Sequence, residues 1–150
     1  MEESIFNEEQ SAQKIIFIKG IIGSGKTTWS KQYCVDNPNF VRINKDDIRE
    51  MLGNPEYTKE SENDVVTIQH KMAETILRSG KSLIVDDTNF NPYHQVWYRG
   101  ISDRFHIDFT IKIFNTPLEE CIARDATRGN KSIGEGEITK MYNKYKKDII

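Results

Sequence analysis

The stretch "KIIFIKGIIGSGKTTWSKQY", residues 14 to 33, constrains this chain more than any other. Residues 14–20 form an apolar run that reads as a buried strand. Residues 26–37, "KTTWSKQYCVDN", read as a helix. Between them Gly20, Gly25, Lys26 and Thr27 fill every fixed position of G-x-x-x-x-G-K-[ST]. Glycines let the backbone turn tightly, so that successive N–H groups converge on a polyphosphate, and the following helix adds its positive end. The lysine reaches the β and γ phosphates, and the threonine hydroxyl ligates Mg²⁺. The expected ligands are therefore ATP and Mg²⁺. The nucleotide-binding set is Gly20, Gly23, Ser24, Gly25, Lys26, Thr27 and Thr28.

The rest of the chain alternates in the same way. Apolar runs at 40–43, 81–87 and 106–114 read as further strands. Helices are expected at 46–52, 61–80, from Pro92 to about Phe105, from Pro117 to about Thr127, and over 135–150. In the 61–80 helix, Ser61 and Asp64 read as a capping pair, and Val65, Ile68, Met72 and Ile76 as the buried face. Alternating strands and helices predict an α/β fold with a parallel sheet covered on both faces. At 150 residues, one domain over 13–150 is expected, after a loose acidic tail at 1–12. The tail lacks the basic and apolar regions of a signal peptide, and no stretch is apolar enough to span a bilayer. Cys34 and Cys121 lack metal-ligand spacing and read as reduced thiols, which points to the cytoplasm. The net charge of −2 argues against a protein that coats long nucleic acid, but leaves room for a small basic pocket.

A GTPase or an AAA-type motor needs more chain than this, and its switch or sensor elements are not found. A small kinase fits the size. It needs a base, an acceptor clamp and positive charge over the moving phosphoryl group. In "NKDDIRE", Asp46 follows the second strand, where ligands of open α/β sheets gather, and Arg49 shares its helix face. Such a carboxylate can take a hydroxyl proton while the guanidinium grips a phosphate. Asp47 reads as a helix cap. In "IVDDTNFNP", Asp87 or Asp86 can hold the water shell of Mg²⁺ or orient Arg49, and Thr88 and Asn89 are loop donors for an acceptor phosphate. In "ARDATRGNKS", Arg124 and Arg128 read as arginine fingers on a lid helix that Gly129 breaks, with Glu120 and Asp125 as rival ion-pair partners.

Together "GIIGSGKTTW", "INKDDIR", "VDDTNFNP" and "RDATRG" resemble the kinase domain of bacteriophage-type polynucleotide 5′-kinases, from about Ile15 to about Tyr145. The resemblance implies a P-loop kinase fold with an arginine-bearing helical lid, and transfer of the γ-phosphate of ATP to 5′-hydroxyl ends of DNA or RNA in nucleic-acid end repair. It implies Asp46 as general base, Arg49 as clamp on the phosphate next to the acceptor hydroxyl, and Asp87 as support for the acceptor. Arg128, with Arg124, would stabilise the transferring phosphate. Ile22 stands where those enzymes carry proline, and Lys45 where they carry arginine. No D-x-D-x-T phosphatase motif follows, so a free-standing kinase or a fragment cut at a domain boundary is expected. The resemblance leaves room for self-association, for a phosphatase or ligase partner, and for a bacterial or phage-infected host cytoplasm. Rival readings are a zeta-toxin-like, nucleoside or sugar kinase, and an ATP-switched binding module without turnover.

Overall fold

The computed structural model describes residues 12–53 and 56–150. The expected tail at 1–12 lies outside these residues except for Ala12. The backbone runs β1 (Lys14–Lys19), α1 (Lys26–Asp36), β2 (Phe40–Ile43), α2 (Lys45–Met51), α3 (Lys59–Arg78), β3 (Ser82–Val85), α4 (Pro92–Phe105), β4 (Asp108–Ile113), α5 (Leu118–Ala126) and α6 (Glu135–Ile149). A short 3₁₀ turn, Gly129–Lys131, separates the last two helices. The strands form one sheet in the order β2-β3-β1-β4, and every pairing is parallel. Right-handed crossovers through helices are the usual way to build such a sheet.

Alternation along β1 fixes the layers. Ile15 and Phe17 face α3 and α4, packing with Ala73, Leu77, Tyr98 and Ile101. Ile16 and Ile18 face the other way, with Trp29 and Tyr33 of α1 and with Phe114. Ile15, Phe17 and Ile18 are wholly buried, and each such side chain stabilises the fold by about 1.5–3 kcal/mol. A third cluster, Ile21, Cys121, Ile138 and Ile149, seats α5 and α6 on the glycine-rich loop. The helices thus cover both faces, as the sequence predicts, and the loops at the carboxyl ends of the strands form one rim.

Some local expectations shift. α3 begins at Lys59 and is capped by Thr58, whose hydroxyl accepts from the Ser61 amide while the Ser61 hydroxyl accepts from the Thr58 amide. Ser61 is therefore the inner partner of the capping box, and Asp64 is not part of it. The fully buried face of α3 is Val65, Gln69, Ala73 and Leu77. Ile68, Met72 and Ile76 flank it half-buried. The cap of α2 is Asn44, whose side chain accepts from the Asp47 amide, and the Asp47 carboxylate instead pairs with Arg42 at 2.6 Å.

Candidate active site

The loop between β1 and α1 approaches its neighbours so closely that side chains are excluded. A Cβ on Gly23, whose φ is +81°, would collide with the Cys121 carbonyl of α5. A Cβ on Gly25, φ +98°, would sit 2.8 Å from Nη1 of Arg124. Lys26 starts α1, and its Nζ donates to the Ile21 carbonyl at 2.8 Å, closing the loop on itself. Burial pulls the Lys26 pKa down to about 8, against the opposing pull of Asp86 and Asp87. Thr27 and Thr28 are exposed in the first turn, whereas Ser24 is buried and its backbone carbonyl accepts from Thr116 at 2.7 Å.

The two aspartates beyond β3 have separate environments. Asp86 is fully buried, and its Oδ2 accepts from Ser30 at 2.9 Å and from Nε of Arg42 at 2.7 Å. Its Oδ1 is buried with no partner among the described residues. Ser30 also donates to the Thr27 carbonyl, so this free oxygen stands beside the first turn of α1. An orphaned carboxylate oxygen next to the loop threonine fits a hydrated Mg²⁺. Asp87, by contrast, has both oxygens engaged. Oδ1 accepts from the Lys45 amide at 2.9 Å and Oδ2 from Gln69 at 2.9 Å. Gln69 in turn accepts from the buried Tyr98 hydroxyl at 2.9 Å. Burial raises the Asp87 pKa to about 6, with Lys45 and Gln69 opposing. Asp87 therefore braces the start of α2 and makes no contact with Arg49. Asn89, φ +56°, spends its amide on the Ile18 and Val85 carbonyls, so it ties this loop to the sheet instead of offering a donor outward. Thr88 stays half-buried, its carbonyl accepting from the Gly20 amide at 3.4 Å.

Asp46 and Arg49 do share a face of α2, and Nη1 of Arg49 donates to Asp46. Asp46 remains 76% exposed. The rest of the guanidinium is held by Glu62 of α3, through Nε at 2.8 Å and Nη2 at 2.5 Å, and stacks over Tyr57 at 5.0 Å. That fork holds the Glu62 carboxyl below its ordinary range. Arg49, Tyr57 and Glu62, but not Asp46, line a cleft of about 590 Å³ together with Lys45, His70, Tyr93 and His94. The volume is that of a small-ligand site.

Both lid arginines have the carboxylate partners that their spacing allows: Arg124 with Glu120 at 3.2 Å and Arg128 with Asp125 at 3.3 Å. The helix nevertheless faces the phosphate loop, but it ends at Ala126, so Arg128 lies beyond it at the start of the 3₁₀ turn and does not share the helix with Arg124 as expected. Arg124 lies over Gly25, and Arg128 is near enough for its charge to act on Lys26. Asp125 anchors the segment that follows, accepting from Ser132 at 2.7 Å and from the Ile133 and Gly134 amides at 3.1 and 2.9 Å.

Sequence reasoning missed Glu62, Arg42, Gln69 and the rings of the cleft. Arg42 and Gln69 each interrupt an apolar pattern at a position that turns inward, and that interruption was the available signal. Glu62 and His70 carried none, since polar residues on a long helix are ordinarily solvated.

A family model described as "AAA domain" matches residues 15–147. A protein of Autographa californica nuclear polyhedrosis virus, named as a bifunctional polynucleotide kinase/RNA ligase, is 24% identical over 152 aligned positions, covering 91% of this chain and 21% of the viral protein. Among solved structures, a chain of the Pnkp1/Rnl/Hen1 RNA repair complex superimposes with a TM-score of 0.71 at 26% identity, over 92% of this chain and 46% of that one. APS kinase CysC of Mycobacterium tuberculosis, in complex with AMPPNP and APS, shares the fold with a TM-score of 0.58 at 19% identity, over 93% and 76% of the two chains. The chain thus spans about a fifth of the viral relative and less than half of the matched repair-complex chain.

Proposed function

The chain belongs to the phosphate-loop family described as AAA domain, and on that premise we propose that it transfers the γ-phosphoryl group of ATP to the 5′-hydroxyl of a DNA or RNA end. The observation that carries this reading is the pairing of the exposed Asp46 with Arg49, which lines a nucleotide-sized cleft, on the same rim as the phosphate loop. The relatives' names point the same way, and so does the specificity of the "DDIR" and "DTNFNP" elements.

In this reading the loop amides from Gly20 to Thr28 and Lys26 hold the triphosphate. Thr27 and Asp86, the latter with its otherwise orphaned oxygen and in preference to Asp87, would hold Mg²⁺. When bound, the metal neutralises charge on the β and γ phosphates. Asp46 is open to solvent and takes the proton of the acceptor hydroxyl. Arg49, its fork steadied by Glu62, grips the phosphate on the 3′ side of that nucleoside. Arg128 and Arg124 stand on the side of the loop where charge builds as the phosphoryl group moves. Asp87 supports the acceptor side indirectly, by fixing the start of α2. The product is a 5′-phosphorylated end, the form that a ligase joins, and a ligase is the partner class we propose.

The test is end-labelling. Labelled ATP with Mg²⁺ and oligonucleotides bearing 5′-hydroxyl ends should give labelled ends, and 5′-phosphate oligonucleotides should give none. A nucleoside 3′-monophosphate should be a usable minimal acceptor and the bare nucleoside a poor one. Arg49→Ala should erase that difference, a charged hydrogen bond contributing about 1.5–3 kcal/mol. Labelling of a sugar or nucleoside in place of oligonucleotide ends would give the reaction to a small-molecule kinase.

A further inference from the structure

The cleft beside Arg49 has two chemistries. Around α2 it carries charge, with Lys45, Arg49 and Glu62. Farther along α3 it meets the start of α4 and carries rings, with His70, Tyr93 and His94. Tyr93 is 58% exposed, so its ring is open to a partner. The His70 ring lies flat on Trp97, with centroids 3.5 Å apart and planes 3° from parallel, which holds it in the wall. Each histidine keeps one ring nitrogen sealed without a partner among the described residues, Nε2 of His70 and Nδ1 of His94. Nothing behind either ring therefore selects its tautomer, and the other nitrogen can serve as donor or as acceptor.

From this arrangement we infer that His70, Tyr93 and His94 form the seat for the base of the acceptor's 5′-terminal nucleoside, Tyr93 by stacking and the histidines by hydrogen bonds that adapt to different base edges. The inference rests on the acceptor reading of the cleft and deepens it. A cationic pair would suit a second phosphate. Burial, then the nearby charge of Lys45, keeps both imidazoles uncharged at neutral pH, with values near 4. Base edges present donors and acceptors side by side, which neutral imidazoles complement. Stacking is tolerant of base identity because every base has a π-face, and tautomer freedom adds tolerance at the edge. The seat thus recognises that a base is present more than which base it is.

The experiment compares two otherwise identical 5′-hydroxyl oligonucleotides, one with a normal 5′-terminal nucleoside and one whose 5′-terminal residue is abasic. Wild type should show a kcat/KM at least about fivefold higher on the base-bearing end, the lower limit for one stacked base. All four bases should fall within a narrow range. Tyr93→Ala and His94→Phe should collapse the ratio of base-bearing to abasic toward one, with KM for ATP as in wild type. Melting curves show whether the variants fold. Tyr93 is exposed, so its variant stands even where a histidine variant does not. Equal use of both ends by wild type overturns the base seat while leaving the acceptor reading intact. So do variants that slow both ends equally. If wild type labels neither oligonucleotide, the acceptor reading itself fails, and the seat with it.

Discussion

Asp46 and Asp47 are adjacent, yet the fold gives them different tasks. Asp46 is open to solvent beside Arg49, and Asp47 is tied to Arg42 at the end of β2. Asp46→Asn should keep ATP binding and lower turnover by about 10² to 10⁴, the range for removal of a general base. Asp47→Asn should affect melting more than turnover. Turnover and ATP binding measured on both variants check this, and equal losses of activity would void the assignment. Glu62 offers a second test, since it holds Arg49 without facing the chemistry. Glu62→Gln should raise KM for the acceptor and leave KM for ATP unchanged. The paired motif residues were legible because spacing along a helix fixes who shares a face. Glu62 was not, because its partner lies on another helix and only packing of α2 on α3 brings them together.

At the scale of elements, α5 and the phosphate loop are fitted to each other. Gly23→Ala must push Cys121, and with it α5, away from the loop in addition to straining a positive φ. It should lower the melting temperature and weaken ATP binding together. Gly53→Ala, with a similar φ of +83° and no described atom within 4 Å of the added Cβ, should show only the backbone strain, on the order of 1 kcal/mol. The lid gives a further contrast. Arg128→Ala should reduce kcat by about 10³ or more, as loss of an arginine finger does. Asp125→Ala should also reduce kcat, but by freeing the segment up to Gly134, and so should increase its hydrogen exchange. The existence and order of these elements were readable from apolar runs and turn residues. The exact seating of α3 was not. Its buried stripe contains Gln69 and Ala73, which look unlike core, and its cap uses a serine where glutamate or glutamine is the usual inner partner.

For the whole molecule, titration should limit stability on the acid side. His70 and His94 titrate near 4 when folded and near 6.5 when unfolded. Across that interval the unfolded chain binds protons that the folded chain does not, so stability falls as pH falls from 6.5 to 4. Asp87 acts the other way, because its folded value of about 6 lies above its ordinary 3.8. Two groups oppose one, and the depressed Glu62 joins the histidines at the lower end. The melting temperature should therefore drop between pH 7 and pH 5, and replacing both histidines with asparagine should flatten or reverse that drop. A titration of melting temperature in wild type and the double variant decides it.

The sheet order carries one more consequence, for how the protein is made. β1 lies inside the sheet, and its neighbours are β3 and β4, with Lys14 opposite Asp108. During synthesis this central apolar strand leaves the ribosome early and must wait for both partners. Contacts between parts so distant in sequence form slowly, and unpaired apolar strands invite association in the interval. A nascent chain stalled before β4 should thus remain bound by chaperones and open to protease, and one extended past α5 should become resistant in a single step.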